Sequence, residues 1–184
     1  TEIQKLSEGL QEVEGRLRVR TYWDTSLNPK GGCRMSLLQD ALSQLSDYSV
    51  DYANQISNGR VSPSIFITPK GEVGFEVTQM IGMRKYGLSS SGQRRMVDIG
   101  IQMALARLSS RYSGFTSNLM ILDEVEDKLD ASARRHLITL LKKIAEDEHK
   151  LILIASHNKD IKSYVERVWQ VVQSDGVSRL ATAA

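Results

Sequence analysis

Two consecutive acids, Asp123 and Glu124, follow the apolar run Asn118-Leu-Met-Ile-Leu, and they are the residues best placed for chemistry. A buried parallel strand that ends in carboxylates delivers them to the C-terminal edge of its sheet, where such folds bind ligands. In a nucleotide hydrolase the first acid would hold Mg²⁺ through its water shell, because that ion keeps several waters and takes few protein ligands. The second would orient or deprotonate the attacking water. Taken alone, the pair reads almost equally well as solvated acids at a strand end.

Three further stretches carry chemistry. A second apolar run, Leu151–Ala155, ends in Ser156-His157-Asn158, which puts an imidazole where it can donate a hydrogen bond to a phosphate. By itself His157 reads as a loop residue. Asp130 stands ahead of a helical stretch and is expected to cap it by accepting backbone N–H bonds. Upstream, Leu88-Ser-Ser-Ser-Gly-Gln-Arg-Arg95 opens a long helix. Hydroxyls and unpaired backbone N–H groups at a helix start make an anion site, and Arg94 and Arg95 add positive charge. The competing reading is a Ser/Gly linker with Ser91 as the helix cap.

The elements that must position these residues follow from periodicity. A helix over about 91–109 leads to a strand at 118–122, and a helix over about 131–146 leads to a strand at 151–155; a short helix near 159–166 and a strand near 168–173 complete the series. Apolar strands alternating with helices indicate a parallel sheet covered on both faces. Before this α/β region, Ser64–Thr68 and Val73–Val77 flank Pro69-Lys70-Gly71-Glu72 as a β-hairpin. Met35, Leu38, Leu42 and Leu45 start a helix that runs toward Ile56 and stops at the turn pair Asn58-Gly59. At the N-terminus, Ile3, Leu6, Leu10, Val13 and Leu17 recur at steps of three and four, as an amphipathic helix or the stub of a coiled coil does. We divide the chain at residue 27, with a helical stub at 1–27 and the α/β lobe at 28–184.

Composition narrows the class. At 184 residues, 41% hydrophobic and 25% charged, the chain suits one folded domain with a sizeable core. A net charge of +2 does not by itself argue for nucleic acid. Cys33, the only cysteine, allows neither an intrachain disulfide nor a cysteine-based zinc cluster, which fits an intracellular setting. No run of about 18 apolar residues suggests a membrane span.

The order of the motifs carries a family resemblance. Ser89-Ser-Ser-Gly-Gln93 resembles the signature loop of ABC-type ATPases, usually Leu-Ser-Gly-Gly-Gln. Leu122-Asp-Glu-Val-Glu-Asp-Lys-Leu-Asp130 resembles their Walker B strand running into the D-loop, and Ala155-Ser-His157 resembles their switch histidine. Ser91 in place of glycine, and Val125 where transporter domains usually carry proline, lean toward the SMC and SbcC-like DNA-repair branch and away from transporters. The resemblance implies Asp123 as the Mg²⁺-side acid, Glu124 as the catalytic glutamate, His157 as the switch histidine and Asp130 as the D-loop aspartate. It puts Ser90, Ser91, Gly92 and Gln93 on the signature loop, facing the ATP of a second head.

No Gly-x-x-x-x-Gly-Lys-Ser/Thr phosphate loop occurs, and Pro29-Lys-Gly-Gly32 is rejected as one because no Lys-Ser/Thr follows. The family's Q-loop is not identifiable either. In SMC-like ATPases a coiled coil separates the lobe that bears this loop, Walker A, from the lobe that bears the other motifs. The resemblance therefore implies a C-terminal lobe that needs an N-terminal lobe with Walker A, pairs with a second head, and uses ATP and Mg²⁺. It further implies DNA and a nuclease subunit as partners, in double-strand-break repair or recombination. The alternatives are an SMC, RecF or RecN-like chromosome ATPase, a transporter domain, or a non-hydrolysing binding module.

Overall fold

The computed structural model describes residues 2–28, 32–68, 72–79 and 82–182. The rejected phosphate-loop look-alike, apart from Gly32, and the tip of the hairpin at 69–71 lie outside them. Helix α1 spans Glu2–Ser26 and helix α2 spans Gly32–Ser57. The α1 residues Leu6, Leu10, Val13 and Leu17 are all exposed, so its apolar seam has no cover within the lobe.

An antiparallel sheet follows, with β1 at Val61–Ile67, β2 at Val73–Gln79 and β3 at Gly82–Lys85, in that order. The hairpin expected from sequence is β1–β2, closed by the Thr68 N–H donating to the Glu72 carbonyl at 2.8 Å. The third strand was not expected. Its four residues, Gly-Met-Arg-Lys, are too few to show a period of two.

The α/β region contains α3 (Ser91–Ser113), β4 (Leu119–Asp123), α4 (Ala131–Asp147), β5 (Leu151–Ala155), a 3₁₀ turn at Lys159–Tyr164, and the antiparallel hairpin β6 (Trp169–Ser174) and β7 (Val177–Thr182). Each helix has a local reason to start and stop. A capping box on Ser90 and Gln93 opens α3, and Gly114 at φ 66° ends it in the left-handed conformation. Asp130 caps α4 through the Ala133 N–H at 2.7 Å.

The core gathers residues from α2, α3 and α4: Tyr52, Ile56, Val97, Ile99, Met103, Leu137, Leu141 and Ile144 are buried there. Helices α2 and α3 cross closely at Gly100, where an added Cβ would lie 3.0 Å from the Ser49 carbonyl oxygen.

Strands β4 and β5 are parallel and in register from Leu119↔Leu151 to Asp123↔Ala155. Their even-numbered residues, Met120, Leu122, Ile152 and Ile154, pack on the helical core. The opposite face is largely bare: Leu119, Ile121 and Leu151 are 42%, 68% and 58% exposed, and only Leu153 among its leucines is half-buried. The α/β architecture is thus present, but helices cover one face of the parallel pair where cover on both was expected. Parallel strands are ordinarily buried on both faces, so this one leaves apolar surface for another layer. No described helix is long and apolar enough to cross a membrane.

Candidate functional site

The two parallel strands end side by side and hold the site between them. The ladder continues one residue past β4, where the Glu124 N–H donates to the Ala155 carbonyl at 2.9 Å. That bond fixes Asp123 and Glu124 next to the turn that carries His157. The His157 Nε2 then stands 3.0 Å from Glu124 Oε1. The imidazole side chain is 94% exposed and the carboxylate 45% exposed, so both remain open to a ligand.

Glu124 pays for its position in backbone strain. Its φ is 45° and that of Lys128 is 65°, left-handed values that side-chain-bearing residues seldom adopt. Such strain costs about 1–3 kcal/mol per residue and persists where the surroundings enforce it. Here Arg95, in the first turns of α3, supplies the restraint. One of its Nη atoms donates to the Glu124 carbonyl at 2.8 Å and its Nε to the Val125 carbonyl at 3.2 Å. Val125 and Leu129 are buried and anchor the same segment from below.

The loop at the start of α3 lies against this segment. A Cβ on Gly92 would stand 2.9 Å from the Lys128 carbonyl oxygen, so only glycine allows the approach. Ser90 is the helix cap: its hydroxyl accepts from the Gln93 N–H at 3.2 Å, and Gln93 Oε1 accepts from the Ser90 N–H at 2.9 Å. The cap is therefore Ser90, one residue before the Ser91 that the linker reading selects, because the Gln93 side chain reaches back to it. Ser91 is exposed on the first turn. Among the eight sequence-selected residues the structure joins Glu124 with His157 and Ser90 with Gln93. It also sets Gly92 on the 124–130 loop.

Asp130 sits at the far end of that loop. The Ala133 N–H, aided by the Arg60 guanidinium at 3.5 Å, holds its carboxyl below the usual value despite partial burial. Its capping role was expected; Arg60 as its partner, 70 residues upstream, has no sequence signal. Two other side chains have no signal in the motifs. In the sequence Arg95 offers only positive charge. Glu126 is buried and accepts a hydrogen bond from the Ser156 hydroxyl, whose Oγ in turn accepts from the Asn158 N–H at 2.9 Å.

The exposed carboxylate of Asp123, at the strand end, suits Mg²⁺, which takes one or two protein carboxylates and completes its shell with phosphate and water. Among the described residues no group of three His, Cys, Asp or Glu side chains is placed to hold a metal ion.

No protein-family model matches this sequence, and no curated protein is significantly similar to it. Solved structures do share its fold. One concerns ATP-driven dimerisation and DNA-stimulated activation of SMC ATPases: 12% identity, TM-score 0.71, covering 82% of this chain and 89% of that one. A second is an Smc head bound to the C-winged helix domain of ScpA: 13% identity, TM-score 0.66, covering 89% of this chain and 49% of that one. A third is the SMC head domain from Thermotoga maritima: 17% identity, TM-score 0.56, covering 82% of this chain and 51% of that one. The chain thus spans about half the length of the latter two. At the level of fold, it has the α/β architecture of an SMC ATPase head domain.

Proposed function

We propose that this chain is the C-terminal lobe of an ATP-hydrolysing head, active once an N-terminal lobe with Walker A completes it and a second head pairs with it. The observation that carries this reading is the contact between Glu124 and His157 at the ends of two adjacent parallel strands. An open carboxylate beside an open imidazole suits in-line attack by water on a γ-phosphate. Glu124 orients the water and takes up its proton, while His157, which rests against Glu124 in this structure, donates to the phosphate once ATP is bound. Asp123 would hold Mg²⁺, which supplies charge neutralisation on the phosphates. Ser90, Ser91, Gly92 and Gln93, at the start of α3, act on the nucleotide of the opposite head. The bare face of β4 and β5 supports the need for a completing lobe.

Within this function the preferred role is an SbcC-like subunit in DNA double-strand-break repair or recombination. A nuclease would dock at the base of the coil that begins at α1, whose apolar seam is uncovered. The likeness to SMC heads, one of them bound to a winged-helix domain, favours a second reading as an SMC-like chromosome ATPase. Purification of the full assembly separates the two: nuclease activity on linear duplex DNA supports the first, and a winged-helix partner without nuclease supports the second.

The test of the shared reading is Glu124→Gln in the completed head. It should abolish turnover while trapping ATP in a stable dimer of heads. Normal hydrolysis by this variant, or robust hydrolysis by the lobe alone, would refute the assignment.

A further inference from the structure

We infer that Glu126 is a positioning residue which, through Ser156, sets the His157 imidazole against Glu124. The inference rests on the ATPase reading above and adds to it a residue that the motif resemblance leaves without a role.

Glu126 is 2% exposed, and it is the only buried carboxylate among the described residues. Carboxylates are rarely buried without a cationic partner or several donors. Glu126 has neither. Its Oε1 accepts from the Ser156 hydroxyl, and its Oε2 finds no donor among the described residues. A buried acid with one neutral donor and one unsatisfied oxygen lowers the stability of the lobe. An apolar residue would pack there at less cost, so stability does not explain the glutamate.

Geometry does. Glu126 lies two residues after Glu124, and Ser156 lies one residue before His157. The same two loops are therefore joined twice, by Glu124 with His157 at the surface and by Glu126 with Ser156 beneath. The lower tie is part-buried, with its Glu126 end covered, and the upper one lies at the surface. Ser156 is also committed on its other side, where its Oγ accepts the Asn158 N–H. With donor and acceptor both engaged across the histidine, the hydroxyl fixes the turn that presents His157. The exposed imidazole has little other support. Without Ser156 held from below, the turn would be free to swing His157 away from Glu124.

The experiment is steady-state ATP hydrolysis by the completed head carrying Glu126→Leu, Ser156→Ala, both together, or Ser156→Thr. Each of the first two should lower kcat about tenfold and change KM for ATP by less than about twofold, because a displaced group costs transition-state stabilisation and not binding. The double variant should be no worse than either single one, since both break the same tie. Ser156→Thr keeps the hydroxyl and should retain kcat near that of the wild type. The melting temperature of Glu126→Leu should not fall.

Unchanged kcat in both single variants would overturn the inference. So would additive losses, or losses that follow the fraction of unfolded protein with Ser156→Thr equally impaired. Should Glu126→Leu fail to fold, Ser156→Ala at an exposed position decides alone. The two levels remain distinguishable. A wild-type head without hydrolysis defeats the ATPase reading and this inference with it; an active head indifferent to these substitutions defeats the inference only.

Discussion

The guanidinium of Arg95 is clamped to the backbone of Glu124, with Nη 2.8 Å from its carbonyl oxygen. The side chain comes from the helix that opens with the Ser90 capping box, so the start of α3 and the strained strand end form one mechanical unit. In the proposed head, these two parts serve different nucleotides. On that proposal, a displacement of the α3 start by the opposite head's ATP would be passed through Arg95 to the acid proposed to act on this head's own.

Arg95→Ala should therefore act twice. Loss of two charge-assisted hydrogen bonds to partly buried carbonyls should cost the lobe about 1–3 kcal/mol in urea unfolding. The completed head should lose kcat as Glu124 relaxes from its left-handed conformation. Arg95→Lys should not restore either property, because one ammonium cannot reproduce the fork that reaches both carbonyls. Full activity in the lysine variant would show that only charge matters.

Ile121→Lys tests the bare sheet face. The side chain is 68% exposed in this lobe, so its replacement should change lobe stability by no more than about 0.5 kcal/mol. Co-expression with the N-terminal lobe should nevertheless yield no complex, because a lysine would be buried unpaired at the junction. Recovery of the complex at normal yield would mean that the face lies outside the interface.

Asp130 gives an acid-sensitive contribution. Its carboxyl is depressed by the Ala133 N–H and then by Arg60, so the stabilisation is present above its ordinary value of 3.8 and is lost as the pH falls through the lower folded value. Asp130→Ala should cost about 1 kcal/mol at neutral pH through loss of the helix cap. Asp130→Asn keeps the cap and loses only the charge term. The gap in unfolding free energy between wild type and the asparagine variant should close as the pH drops below 3.8; a gap independent of pH would contradict the assignment.

Tyr86 behaves in the opposite sense. Burial, followed by its 2.5 Å hydrogen bond to Asp98 and that residue's charge, pushes its phenol from 10.0 up to about 12. The neutral phenol favours the folded state, so its contribution is complete below pH 10 and disappears between there and about pH 12. Unfolding measurements at rising alkaline pH should show a steeper loss in the wild type than in Tyr86→Phe. Equal slopes would place the tyrosine's titration at its ordinary value.

What could be read from the sequence was whatever local periodicity and short-range motifs encode. Helix α4 is legible in its apolar spacing, α3 in the Ser/Gly/Gln stretch that opens it, and β4 and β5 in their unbroken apolar runs. The left-handed pair Asp175-Gly176, a two-residue hairpin signal, joins β6 to β7, a strand absent from the sequence expectation. The pairs Arg95 with Glu124, Arg60 with Asp130 and Glu126 with Ser156 join residues 29, 70 and 30 positions apart. No spacing rule reaches that far, and each depends on how α3, β1 and the strand ends come to rest on one another. The bare face of the sheet was equally hidden, because an apolar strand looks the same whether one or both sides are covered.

That bare face changes what a binding experiment measures. If the missing layer is the lobe that grips the phosphates, a nucleotide titration reports two linked equilibria, docking of the lobes and occupancy of the site. The apparent dissociation constant then equals the intrinsic one divided by the docked fraction. Dilution, salt or a lesion in the connecting coil would weaken ATP binding with every site residue intact. The apolar side chains of Leu119, Ile121 and Leu151 would then become determinants of nucleotide affinity.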